Sequence, residues 1–134
     1  MTNTQWVFDK AIHLMDEQDE RTGDTLTEDT QEYKNRTLSI VNVLRNDLYP
    51  MSDNYTLLEN GRRPVLPLLV DFEQDIGLDD VIAQSILPYG LAAHLLLGED
   101  NSKAGFFNQK YEELKASLGT KRMAVWEVIT DSFM

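Results

Sequence analysis

His13 and His94 are the only histidines in this sequence, and histidine is the one side chain whose ordinary pKa falls near neutrality. Neither has a second histidine three or four residues away on the helix it is expected to occupy. A zinc or iron site would therefore need carboxylates recruited from elsewhere in the chain. There are no cysteines, which excludes a disulfide framework, a thiolate zinc site and a cysteine nucleophile together. The stretch Asp71-Phe72-Glu73-Gln74-Asp75-Ile76-Gly77 offers acids at alternate positions, as a calcium loop does. Its register fails, because the glycine falls seventh instead of sixth and Ile82 stands where a bidentate glutamate is required. The acidic run from Asp16 to Asp24 fails the same test. No GxSxG, P-loop or GxGxxG motif is present, and no serine has a histidine or lysine at a familiar spacing. Asp79 and Asp80 are adjacent, so on a helix they point about 100° apart and do not share a proton. The residues thus predict no enzyme, no metal and no cofactor.

Charge narrows the partners. The 134 residues carry 23 acids against 12 bases, a formal net charge of −11, with 42% apolar and 26% charged residues. Such a field repels phosphate backbones and anionic lipid, so neither nucleic acid nor membrane is expected as a partner. Cationic partners and high solubility are favoured. The polar start of the chain, Met1 to Lys10, is no signal peptide. The longest apolar stretch, Ile82 to Leu97, is broken by Gln84, Ser85, Pro88 and His94 and is too short to span a bilayer. The expected address is cytoplasmic. A length near the common domain size predicts one domain able to bury a core without staples.

Helical periodicity dominates the elements that must position anything else. Val7, Phe8, Ala11, Ile12, Leu14 and Met15 predict a helix from about Thr4 to Gln18, with Thr4 as its cap. A loop from Asp19 to Thr27 comes next, rich in acids and centred on Gly23. Asp29 with Glu32 three residues on reads as a capping box, Thr27 being the alternative cap. The stripe Tyr33, Thr37, Ile40, Val41, Leu44 and Leu48 then predicts a second helix ending by Tyr49, before Pro50. A third helix spans Leu78 to Leu97, with Asp79 and Asp80 in its first turn, a kink at Pro88 and Gly98 as its stop. A fourth runs from Ser102 to Leu118 on the seam Ala104, Phe107, Tyr111, Leu114 and Leu118, and Gly119 is expected to end it. The short Gly98 to Asn101 link makes the last two an antiparallel hairpin.

Two segments fall outside this scheme. Pro50 to Gly77 is long and aperiodic, yet Leu57, Leu58, Val65, Leu66, Leu68, Leu69 and Phe72 are too apolar to float freely. We expect an ordered excursion, with Val65 to Phe72 a short extended piece confined to an edge by Pro67. Thr120 to Met134 has little helical order and reads as an extended arm. The expected fold is all-α: a four-helix bundle-like domain over residues 1–119, with a long loop between the second and third helices and an extended C-terminal arm over 120–134.

Those two segments also hold the candidate contact residues. Arg62-Arg63 and Lys121-Arg122 are tight cationic pairs in an acidic chain, and arginine pairs bidentately with carboxylates. They are either internal ion pairs and solvated loop, or contacts to an acidic face such as Asp16 to Asp24 on a neighbouring copy. Trp126 and Phe133 are large apolar residues near a chain end, of the kind enriched at contact hot spots. They either dock on a partner or pack back on their own helices.

Two stretches carry a resemblance. One is Asp29-Thr30-Gln31-Glu32-Tyr33-Lys34-Asn35-Arg36-Thr37-Leu38, running on to Asn46-Asp47-Leu48-Tyr49-Pro50. The other is Ile76-Gly77-Leu78-Asp79-Asp80 with Leu87-Pro88-Tyr89-Gly90-Leu91-Ala92-Ala93-His94-Leu95-Leu96-Leu97-Gly98-Glu99-Asp100, then Phe106-Phe107 and Tyr111-Glu112-Glu113-Leu114. Together they resemble small proteins from the structural gene clusters of tailed phages and prophages of Gram-positive hosts. The second stretch is similar to the head–tail connector (adaptor) proteins. The resemblance implies an all-helical subunit in a ring, commonly of twelve copies, contacting portal and tail proteins, assembled in the host cytoplasm and then part of the virion. It carries over no catalytic residue. The long Pro50 to Gly77 excursion departs from the smallest adaptors. Two other classes compete with it: a phage-encoded acidic regulatory protein that binds a basic host target, and a small hydrolase with an unrecognised site.

Overall fold

The first helix, α1 (Thr4–Met15), begins where the Asn3 side chain accepts the Trp6 N–H at 2.8 Å, so Asn3 caps it and Thr4 lies inside. It ends at Asp16, which takes a left-handed φ of 59°. In this computed structural model the described residues are 1–131 apart from Gln18, Asn54, Thr56 and Arg63, with residues 119–131 described by their backbone alone. The chain is all-α, and the described residues form no strand; their one β-bridge joins Asn3 and Asp75.

Helix α2 (Gln31–Leu48) starts after Thr30 and not at the expected Asp29 box. The Thr30 hydroxyl is engaged backwards instead, donating to Thr25 O at 2.8 Å and accepting the Thr27 N–H at 2.8 Å, which ties the acidic loop to the helix start. A 3₁₀ turn at Tyr49–Met51, with Pro50 in its first positions, extends the helix slightly past the predicted end. The third predicted helix is two: α3 (Asp80–Ser85) and α4 (Leu87–Leu96). The break falls at Ile86, two residues before Pro88, because proline fits the first turn of a helix and cannot continue one. Gly98, at φ +94°, turns the chain out of α4 as expected.

The last helix, α5, runs Asn101–Asp131. This corrects the expectation of an extended arm beyond Gly119: the backbone stays helical through that glycine. A mid-helix glycine costs about 1 kcal/mol. Its flanks, Lys115, Ala116 and Leu118 before and Lys121, Arg122, Met123 and Ala124 after, are strong helix formers that absorb the cost. The division into 1–119 and 120–134 is therefore crossed by a continuous helical backbone.

Helix α4 is the hub, packed against α1, α2, α3 and α5. Leu87, Pro88, Gly90, Leu91, Ala92, Ala93, Leu95 and Leu96 are all buried, and of its ten residues only His94 is exposed. The predicted seams meet there. Val7, Phe8, Ala11, Ile12 and Met15 come from α1, Tyr33, Val41, Leu44 and Leu48 from α2, and Ala104, Phe107 and Tyr111 from α5.

Gly90 permits this crowding. A Cβ built on it would lie 2.9 Å from Tyr111 Cε2 and 3.1 Å from Leu44 Cδ1. The Tyr111 ring has little room to yield, because its hydroxyl donates to Asp47 at 2.7 Å. Gly90→Ala gains about 1 kcal/mol of helix propensity but meets an overpacking cost of about 1–3 kcal/mol. We expect net destabilisation of about 1 kcal/mol by urea titration. A rise in midpoint would show that the three helices can separate without cost.

Candidate functional site

The excursion from Pro50 to Gly77 is held by α2 from below. Asn42 and Arg45 stand three residues apart on one face of that helix. The Asn42 side-chain amide pairs with Leu69 as a strand would, accepting its N–H at 2.9 Å and donating to its carbonyl at 3.0 Å. Arg45 is 4% exposed. Its Nε donates to Ile76 O at 2.8 Å, and its Nη1 donates to Pro67 O at 2.9 Å and Asn42 Oδ1 at 3.1 Å. Burial pulls the guanidinium pKa below its ordinary value, and the charge of Asp75 opposes that shift. The described residues of the excursion are fastened side chain to backbone, and Val65 to Phe72 forms no strand.

The calcium-like stretch is used locally. Asp71 Oδ1 accepts the Glu73 N–H at 2.9 Å, Asp75 Oδ1 accepts the Gly77 N–H at 3.2 Å, and Gln74 Oε1 takes the Val70 and Asp71 N–H groups at 2.7 and 2.8 Å. These oxygens cap a turn. Asp19 does the same in the first acidic loop, where the Thr22 and Arg21 backbone amides hold its pKa below the usual carboxylate range.

A polar cluster joins α2 to α5. Asp47 Oδ2 accepts from Tyr111 Oη at 2.7 Å and from Lys115 Nζ at 2.8 Å, and the ammonium lies 5.1 Å from the Tyr111 ring centroid. Burial alone would raise the Asp47 pKa; the bonds from Lys115 and Tyr111 overcome it and leave the pKa lowered. Burial likewise works against the Lys115 charge, and Asp47 outweighs it, so that pKa is raised. Burial and the bond to Asp47 push the Tyr111 phenol up as well. A second tie joins Tyr33 Oη to Glu99 Oε2 at 2.6 Å, while Arg36 Nη2 donates to Leu95 O at 3.1 Å and satisfies a carbonyl at the end of α4.

Those shifts set the sign of the pH effect. A lowered Asp47 pKa adds stability above its unfolded value, near 3.9, that is lost as pH falls through the folded value. A raised Lys115 pKa adds stability below about 10.4 that is lost as pH climbs through its folded value. Asp47 is 47% exposed, so solvent screening holds the pair to about 1 kcal/mol or less. Asp47→Asn should lower the melting temperature at neutral pH by a few degrees, with the gap to the parent protein closing toward about pH 3. A gap that is constant across the titration would show that the charge contributes nothing.

The exposed apolar side chains of the described surface include one group along α2 and the excursion and another on the α4–α5 hairpin. Val43 on α2 is 66% exposed and faces Leu68, 68% exposed, across a shallow groove lined also by Leu38, Asn42 and Asn46. Val65 and Val70, 87% and 73% exposed, continue along the excursion. On the hairpin, Phe106 is exposed with its ring 5.6 Å from that of Phe107. Elsewhere on the hairpin, His94 and Leu97 share a groove of about 350 Å³ with Ala93, Asn101, Ala104 and Gly105.

Of the contact residues expected from sequence, Arg62 is exposed on the excursion, where its N–H bonds Asn60 Oδ1 at 3.0 Å. Arg63 and Phe133 lie outside the described residues. Lys121, Arg122 and Trp126 lie on the backbone of α5, and their side chains are outside the described set. His13 and His94 are both exposed, on separate helices. Among the described residues no group of three His, Asp or Glu side chains is placed to hold a metal ion, and no helix is long and apolar enough to cross a membrane.

Sequence reasoning missed Asn42 and Arg45. One signal was present: Arg45 sits four residues after Val41 and three before Leu48, a charge on the buried stripe. No family model, curated protein or solved structure matches the chain.

Proposed function

We propose that this chain is a phage virion assembly protein, a head–tail adaptor that works by contact within a ring between portal and tail. One observation carries the reading. A core built tightly around α4 supports a long ordered excursion whose apolar side chains Val65, Leu68 and Val70 face outward. Side chains of that size are left exposed together at contact surfaces. The similarity of the stretch from Ile76 to Leu114 to adaptor proteins names the assembly. The net charge of −11 suits a wall past which DNA must slide without being gripped.

The test is assembly itself. Light scattering of the purified chain, alone and mixed with a phage portal ring, should yield a ring or a portal-bound complex. A strict monomer at high concentration that also fails to bind the portal ring rejects the proposal. A pull-down from host lysate that instead returns a single basic protein would favour the regulatory reading.

A further inference from the structure

The excursion is anchored at both ends and clasped in the middle. At its start, the Asp53 N–H donates to Asp79 Oδ2 at 2.8 Å, and the Asp79 N–H donates to Ser52 Oγ at 3.2 Å. At its far end, the Gln5 N–H donates to Phe72 O at 3.0 Å and the Ile76 N–H to Thr2 O at 2.9 Å. Ile76 and Leu78 are buried there, and Phe72 meets Phe8 edge-on with ring centroids 6.2 Å apart. Between these anchors, residues 64–70 cross α2 with one fully buried side chain, Leu69, and one partly buried leucine, Leu66. The turn after them closes on itself through Gln74 and Asp71.

Hydrophobic burial scales with area removed from water, so a segment with one buried side chain gains far less from it than the helical core does. Beyond Leu69, hydrogen bonding fastens residues 64–70 to α2 through two bonds between Asn42 and Leu69 and one from Arg45 to Pro67 O, while the Val70 N–H bonds Gln74 Oε1 in the turn that follows. Hydrogen bonds exchange with water for a small net gain each. Regions with few buried apolar contacts open locally at lower free energy than the core. The Pro67 bond comes from a guanidinium that is also held by Ile76 O, in the far anchor. Arg45 therefore stays in place when the strap leaves, and Asn42 is the group whose bonds belong to the strap alone apart from one to Arg45.

We infer that residues 64–70 are a strap that Asn42 clasps onto α2 and that lifts as a unit while the helical core and both end anchors remain folded. Lifting removes Leu68 and Leu69 from the groove and opens the α2 face bearing Leu38, Val43 and Asn46. The fold thereby holds two states of one surface, a covered and an open one. This inference does not depend on the adaptor proposal.

The chain lacks cysteine, so a single introduced thiol is a clean reporter. In Leu69→Cys the buried thiol reacts with an aromatic disulfide reagent only when the strap lifts. In Ala92→Cys, on α4, it reacts only when the core opens. The Leu69→Cys thiol should label much faster, at a rate insensitive to low urea. Adding Asn42→Ala should speed it a further ten- to a hundredfold, the loss of two neutral hydrogen bonds, and leave the Ala92→Cys thiol within about twofold. Equal labelling at both positions, or equal acceleration by Asn42→Ala, overturns the inference. Should Leu69→Cys fail to fold, hydrogen exchange of the unsubstituted protein decides the matter. The Leu69 amide should exchange through a urea-independent opening and the Leu91 amide only through global unfolding; a shared opening rejects the strap.

Discussion

Arg45→Met is expected to lower the unfolding free energy by about 2–4 kcal/mol. Methionine keeps the apolar stem and removes the fork. Two backbone carbonyls, Ile76 O and Pro67 O, then lose the donor that satisfies them. An orphaned buried polar group costs about 1–3 kcal/mol. Removing a buried charge returns part of that, since the guanidinium is itself held against desolvation. The loss reaches past the excursion, because the Ile76 N–H is bonded to Thr2 and its side chain is in the core. Arg45→Lys should recover only part of the stability, since an ammonium does not span two carbonyls in the geometry of a fork. Urea titrations of the three proteins at one pH give the comparison. Equal midpoints for Arg45→Met and the parent would mean that water satisfies those carbonyls as well as arginine does.

Leu91→Ala should cost about 2–5 kcal/mol, the range for truncating a fully buried leucine. Leu91 is 0% exposed, one residue after the glycine that brings Leu44 and Tyr111 close to α4. The size within that range reports how far the neighbours collapse. With α1, α2 and α5 all packed on α4, and α5 further tied to α2 through Asp47, little collapse is available, so the upper half is expected. A cost below about 1.5 kcal/mol would contradict close packing at this hub. Calorimetry should show the melting temperature falling by roughly 3–5 °C per kcal/mol for a domain of this size.

The apolar seams were legible because period alone places them. Val7, Phe8, Ala11 and Ile12, or Ala104, Phe107 and Tyr111, are buried where the spacing puts them. Pro88 located the break to within a turn. Local capping was less legible, since Asn3 and Thr4 are both good caps and only the backbone chooses between them. Gly119 misled for a related reason: glycine stops a helix only when the residues after it do not favour continuing, and Lys121 to Ala124 do favour it. Asn42, Arg45 and Asp47 were opaque in a different way. Each is a polar residue on a long helix, which usually means solvent. Their partners, Leu69, Ile76 and Tyr111, are 27, 31 and 64 residues away, and no periodicity encodes such a pairing. The exposed apolar residues of the excursion could be seen to need support, but not which helix would provide it.

The dependence of α1 on α4 sets an order of events during synthesis. The face of α1 bearing Val7, Phe8 and Ile12 is covered by a helix that ends at Leu96. A ribosome adding roughly 5–20 residues each second leaves that face uncovered for about 4–16 s. Closing so long a segment carries an entropic cost that local hairpins avoid. The α4–α5 hairpin, joined by a few residues, can form as soon as it emerges, and α1 must then return to it. The nascent chain is therefore most exposed to chaperones and to aggregation in this interval, when its earliest helix has been made and its docking site has not.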